Sequence, residues 1–220
     1  MMESRMIEEE QIKVGNHHIY LFFKRVSDII VSILALILLS PLIFILSVII
    51  FAQDGHSPFY KQIRVGQFGK TFGMYKFRSM IYNADKVLEK NPLLYKKYIE
   101  NGFKLPEGED PRITKIGDFI RKTSLDEIPQ FWNVLIGQMS LVGPRPIVEE
   151  EMFEYGDKIQ LFLSVKPGAL GLWQASGRAN IEYPERCDIE LEYVRNASYW
   201  YDVKVFFDCC ISIIKKDGAF

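Results

Sequence analysis

The 220-residue sequence has few cysteines, few histidines and almost no net charge. Cys187, Cys209 and Cys210 form no Cys-x-x-Cys pair, so neither a disulfide framework nor a zinc site is indicated, and a reduced compartment fits. His17, His18 and His56 lie outside any HExxH-type ligand spacing and read as ordinary polar residues. The formal charge of -1 leaves no basic excess to release counterions, which argues against a nucleic-acid partner. GxxxxGK[ST] and GxGxxG loops are both missing, which removes P-loop and dinucleotide-binding readings. The DxD pattern of many metal-dependent glycosyltransferases is missing too. No internal repeat or low-complexity block appears, so one domain is expected beside whatever the apolar run builds.

That run, Ile29 to Phe51, contains no charge and is broken only by three serines and Pro41. As a helix it would reach roughly 35 Å, enough for a bilayer core. A signal peptide does not fit, because acidic residues Glu8 to Glu10 precede the run and no small-residue cleavage site follows. Lys24 and Arg25 flank it on one side, Lys61, Arg64 and Lys70 on the other, so the positive-inside rule names no outer face. A helix that enters, bends and returns to the same face satisfies both flanks. Pro41 removes the backbone bond to Ile37 and kinks the helix, and Ser40 is placed to satisfy the freed carbonyl. A kinked span that crosses the bilayer stands as the alternative. The chain thus divides into a polar N-terminal segment (1–23), a membrane helix (24–53) and a cytosolic domain (54–220).

Beyond the anchor, Pro58 to Met80 alternates aromatic and β-branched residues around "VGQFGK", which predicts a β-hairpin. Lys76 and Arg78 leave one face of its second strand, either as phosphate ligands or as charges protecting an edge. Ala84 to Gly102 predicts one or two short surface helices, or a cover over a site. The stretch "TSLDEIPQFWNVL" crowds Asp126 against Glu127 ahead of Pro129. Ser124 and Glu127 have capping-box spacing, and a helix starting at Leu125 or Asp126 keeps Pro129 inside its first turn. The acids then serve either as helix caps or as chemistry aimed at a phosphorylated substrate. Arg121, Arg145 within "GPRP", and Arg178 supply planar forks suited to phosphate oxygens. Bare carboxylates repel phosphate, so a diphosphate substrate beside them implies Mg2+ held by one or two carboxylates. In the C-terminal stretch, Val203, Phe206, Phe207, Cys210, Ile211 and Ile214 recur near helical spacing, as a core-facing or a membrane-interfacial helix.

The segments "KFRSM", "RKTSLDEIPQFWNVLIGQMSLVGPRP", "KPGALGLWQASGR" and "EYVRNASYWYD" resemble the bacterial monotopic phosphoglycosyl transferases, with "LWQASGR" and "KKDGAF" nearest the galactose- or glucose-1-phosphate branch. The resemblance runs from Lys24 to the C-terminus. It implies an α+β, predominantly helical fold with a small β-hairpin, a re-entrant membrane helix bent at Ser40-Pro41, and interfacial amphipathic helices. It implies transfer of a hexose-1-phosphate from a UDP-sugar to polyprenol phosphate, releasing UMP and starting a capsule, exopolysaccharide or O-antigen repeat. Asp126 would be the nucleophile that forms a phosphosugar-aspartyl intermediate, and Glu127 would hold Mg2+. Lys76, Arg121 and Arg145 match basic family positions. Glu190 stands where the family often carries Asp, and Ala197 where Trp is common. The implied setting is the bacterial inner membrane, with membrane lipid as a partner and the catalytic domain facing the cytoplasm. A different donor (an N-acetylated amino sugar), a non-catalytic scaffold and assembly as a homo-oligomer stay open.

Overall fold

The computed structural model describes residues 18–100, 105, 108–177 and 181–215. Residues 1–17 and Arg178 lie outside the described residues. The chain divides into two compact units, each assembled from separated stretches. The first takes in the described part of Met1–Ser40, Lys61–Tyr75 and Pro129–Ala219; the second holds Pro41–Tyr60 and Lys76–Ile128.

The apolar run forms two helices, α1 (His18–Leu38) and α2 (Ser40–Ala52). Between them the axis turns by 60°. The Ser40 hydroxyl donates to Ile37 O at 2.8 Å, taking the carbonyl that Pro41 has no N–H to reach. No single described helix is long and apolar enough to cross a membrane; the bent pair is, by length and composition alone. Burial on α1 is inverted relative to a soluble helix. Asp28 and Ser32 are its buried residues, while Ile30, Leu34, Ile37 and Leu38 are exposed. Polar ties hold that inner face: Asp28 accepts from Ser140 Oγ and from Leu141 N (2.8 Å), and Lys24 lies 2.6 Å from Asp202.

Next come β1 (Phe59–Val65) and β2 (Thr71–Phe77), which pair as the expected hairpin. Two short helices, α3 (Ala84–Glu89) and α4 (Pro92–Glu100), follow as the sequence indicates, with Pro92 in the first turn of α4, where its missing N–H costs nothing. The remaining elements are α5 (Lys115–Lys122), α6 (Gln130–Leu135), β3 (Ser140–Val142), a 3-10 stretch at Glu149–Lys158, α7 (Ile159–Phe162), β4 (Gly168–Leu170), α8 (Leu172–Ser176), α9 (Glu185–Asn196) and α10 (Tyr199–Lys215). β3 and β4 pair in parallel, Ser140 opposite Gly168. Strands of three residues are too short to show an alternating pattern, so this second sheet is silent in the sequence.

The main core of the first unit gathers Val142, Ile147, Phe162, Leu191, Tyr193 and Val205. A smaller cluster, Phe72, Met74, Val134 and Met139, joins the hairpin to α6. Asn133, fully buried beside it, accepts from Tyr75 N and donates to Gly73 O, completing backbone pairing that β2 leaves open.

The C-terminal helix does not bury its whole apolar set, which the core-facing alternative expects. Its packed face is Asp202, Val205, Cys209 and Ser212, whereas Phe207 and Ile211 are 59% and 49% exposed. The buried ion pair is the physical cause. Asp202 meets Lys24, and the Tyr193 hydroxyl donates to it at 2.6 Å, so α10 turns its acid inward and part of its apolar stripe outward.

Candidate active site

The acid pair belongs to the second unit. Thr114 begins α5, its hydroxyl accepting from Gly117 N at 2.9 Å. The helix ends at Lys122, and Ser124 then takes a left-handed conformation with φ 56°. A side chain there costs about 1 kcal/mol, and the reversal separates the next residues from α5. Leu125–Glu127 form one 3-10 turn, and the capping box between Ser124 and Glu127 does not form, because the Ser124 side chain makes no cap bond. A helix does begin at Leu125, but as a single 3-10 turn rather than an α-helix. Pro129 directly precedes α6 as its cap residue, so the acids stand ahead of that helix rather than in its first turn. The two acids therefore sit in their own one-turn helix ahead of α6.

What they meet is Lys76, near the end of β2. Its ammonium lies 2.8 Å from Glu127 Oε1 and 3.8 Å from Asp126 Oδ2. Asp126 is buried and Glu127 half-buried, so the charges interact where water screens them only partly. A strand end and a one-turn helix thus converge one cation on two adjacent carboxylates, though fifty residues of chain separate them.

Arg78 goes elsewhere. Its guanidinium binds both oxygens of Asp54, with Nη2–Oδ1 at 2.6 Å, and reaches Ile50 O at the end of α2. The hydrogen bond from Arg78 holds the Asp54 carboxyl well below the usual carboxylate range. Lys76 and Arg78, expected to act from one face, therefore take different partners, because Arg78 lies beyond the strand's last residue and pairs with Asp54, just past the end of α2. Arg121, in the last turn of α5, is half-buried, and its charge is felt at Asp110. Burial raises the Asp110 pKa, but the two-pronged bond from Arg112, at 2.7 and 2.8 Å, outweighs it and leaves the carboxyl below its ordinary value. Asp54, Asp110 and Arg112 were not singled out from sequence. The one available signal was the Asp-x-Arg spacing in "EDPR".

Arg145 and Glu190 lie in the first unit and form their own cluster. The Arg145 amide donates to Glu190 Oε1 at 3.1 Å, and its guanidinium lies 5.6 Å from the Trp173 ring centroid. Glu190 is fully buried, and its Oε2 has no hydrogen-bond partner among the described residues. Burial pushes its pKa up from an ordinary 4.5 to about 7, against the opposing charge of Arg186. Between those values the folded chain keeps a proton that the unfolded chain releases. The resulting stability is fully present below the lower value and is lost as pH rises through the upper one. Glu190→Gln is expected to flatten that fall, removing a pH-dependent difference of at most about 3 kcal/mol. Thermal unfolding across that interval checks it; parallel curves for both proteins would show that Glu190 is charged throughout.

Among the described residues no three of His, Cys, Asp and Glu cluster as a metal cage. Asp126 and Glu127 nonetheless suit Mg2+, which is commonly bound by one or two carboxylates and completed by water and substrate phosphate.

The sequence profile of the bacterial sugar transferases matches residues 19–216. The chain is 46% identical over 202 residues to an undecaprenyl-phosphate galactose phosphotransferase of Salmonella typhimurium, covering 90% of this chain and 42% of that protein. It is 42% identical to a UDP-galactose-lipid carrier transferase of Erwinia amylovora, covering 95% of this chain and 44% of the relative. It thus spans less than half the length of these two relatives. The exopolysaccharide production protein ExoY of Sinorhizobium fredii is 40% identical, with 90% of this chain and 88% of that protein covered. A profile match over nearly every described residue, with the acid pair and its lysine assembled inside it, leads to one conclusion: the chain belongs to the bacterial sugar transferase family.

Proposed function

We propose that this chain transfers a hexose-1-phosphate from a UDP-sugar to polyprenol phosphate, releasing UMP and opening the synthesis of a capsule, exopolysaccharide or O-antigen. The observation that carries the reading is the lysine-bridged pair Asp126–Glu127. The names of the Salmonella and Erwinia relatives support the donor and acceptor classes.

In the first step an Asp126 carboxylate oxygen attacks the β-phosphorus of the donor. The bond from that phosphorus to the bridging oxygen breaks, and UMP leaves with the electron pair. In the second step a phosphate oxygen of the polyprenol acceptor attacks the same phosphorus, and the Asp126 carboxylate leaves. Splitting the transfer in two lets one buried carboxylate act as nucleophile and then leaving group. Lys76 orients the pair and offsets charge on the incoming diphosphate. Glu127, with Asp126, would hold Mg2+, which supplies charge neutralisation for phosphoryl transfer. Arg121 and Arg145 are assigned to phosphate charge by family resemblance, and Arg178 by the fit of its planar guanidinium to phosphate oxygens.

The anchor in this reading is α1–α2, re-entrant in the inner membrane with the catalytic residues on the cytoplasmic side. The outward apolar surface of α1, the 60° turn and the Ser40–Ile37 bond support it. Cysteine labels placed before Lys24 and after Gln53 should react on the same face of sealed vesicles; opposite faces would make the pair a crossing. The enzymatic reading is tested with purified chain, Mg2+, polyprenyl phosphate and a panel of UDP-sugars. UMP release with UDP-galactose or UDP-glucose is expected. Release only with N-acetylated donors would move the donor assignment, and no release with any donor would return the chain to a scaffold.

A further inference from the structure

The entry of α1 into the first unit carries a second concentration of charge, apart from the acid pair. Arg25 spends Nη1 and Nη2 on Val134 O and Leu135 O, at 2.7 and 2.8 Å, closing the carbonyl end of α6. The chain then turns at Gly137 with φ 85°, a conformation that favours glycine. A Cβ on Gly137 would lie 3.3 Å from Arg25 Nη2 and 3.6 Å from Lys166 Nζ, so the two cationic groups converge on that turn. Lys166 is half-buried and makes no hydrogen bond or ion pair with the described residues. Burial lowers its pKa first, and the neighbouring Arg25 and Lys24 charges lower it further, with Asp28 opposing them only in part. Keeping an ammonium half-buried beside two other cations costs free energy unless an anion completes the set.

The local charge indicates which anion. Lys24, Arg25 and Lys166 face two carboxylates, Asp28 and Asp202, and both carboxylates are already engaged by Ser140, Leu141, Lys24 and Tyr193. Three cations against two acids leave one positive charge, which matches a singly charged phosphodiester better than a doubly charged phosphate monoester. The position agrees. Arg25 lies one turn before the apolar run, and the neighbouring outward residues Val26, Ile30 and Leu34 are exposed.

We propose that Lys166 and Arg25 form a binding site for the phosphodiester head group of an anionic membrane phospholipid, seating the first unit against the membrane surface where α1 enters it. This rests on the membrane-anchored reading given above. Lys166 supplies the free donors, and Arg25, committed to α6, supplies fixed charge.

The test uses the full chain in neutral detergent, with phosphatidylglycerol or phosphatidylcholine added, followed by native mass spectrometry. The chain is expected to retain one phosphatidylglycerol. Lys166→Gln should weaken that retention roughly tenfold, as expected for loss of a charge-assisted contact. Lys166→Arg should keep it. Thermal unfolding should show Lys166→Gln no less stable than the parent without lipid, because it relieves cation crowding. Equal phosphatidylglycerol retention by Lys166→Gln, or equal retention of phosphatidylcholine by the parent, overturns the site. Displacement of the lipid by millimolar inorganic phosphate would make it a free-phosphate site and also overturn the assignment. Flotation with phosphatidylcholine vesicles separates the two readings. A parent chain that fails to float removes the membrane anchor itself, whereas one that floats but retains no phosphatidylglycerol removes only this site.

Discussion

Asp126→Asn is expected to give no hexose-phosphate adduct in intact mass after incubation with Mg2+ and a UDP-hexose without acceptor, while the native chain gains one. Asn keeps the shape and size of the side chain but offers no carboxylate oxygen to attack phosphorus, so turnover should fall by roughly 10^4-fold or more. The shorter Lys76 contact is to Glu127 at 2.8 Å, not to Asp126 at 3.8 Å, so the substitution leaves the main ion pair of the site in place. The loss would then belong to chemistry rather than to collapse of the turn. Two results would sink the assignment. One is an adduct on Asp126→Asn; the other is acceptor-dependent UMP release near the native rate by that variant, which would point to direct transfer in one step.

Gly117→Ala is the substitution with the largest expected effect on stability, and its sign distinguishes two physical arguments. Helix propensity alone says that alanine within α5 should stabilise by about 1 kcal/mol. Packing says the opposite, because a Cβ at Gly117 would stand 1.7 Å from Ser79 O, a backbone atom without freedom to swing away. The same oxygen accepts from Thr114 N at 3.1 Å, so α5 is seated directly on the chain that leaves β2. Separating them should cost about 3 kcal/mol or more. Since α5 carries Arg121 and leads into the acid pair, the surviving folded protein should also lose activity. Thermal unfolding of the purified variant measures this, and an unchanged or raised midpoint would mean that α5 does not lie so close to Ser79.

Both predictions concern residues that the sequence presented unequally. Asp126 and Glu127 stand out because two adjacent acids before a proline are unusual in a chain of balanced charge, and the surrounding motif is long enough to identify a family. Gly117 carries no such mark; its meaning depends on a backbone oxygen 38 residues earlier in the chain. Lys76 was legible as a basic residue on a strand, but its bond to Glu127 was not. Arg78, two residues on, looked equivalent and proved to serve Asp54, since a strand's alternation ends with the strand.

Local chemistry along the chain therefore determined a good deal by itself: the uncharged run and its break at Ser40-Pro41, the hairpin, and the short helices around Pro92. These rest on periodicity, missing N–H groups and charge, which act within a few residues. Tertiary structure alone decided the 3-10 turn in place of the expected helix, the partners of Lys76 and Arg78, the parallel pairing of β3 with β4, and the face that α10 buries. Each depends on groups far apart in sequence satisfying one another's charge or backbone bonds. The turn of α10 shows the reason most directly, because a buried Asp202 without Lys24 and Tyr193 would cost more than the exposure of Phe207 and Ile211.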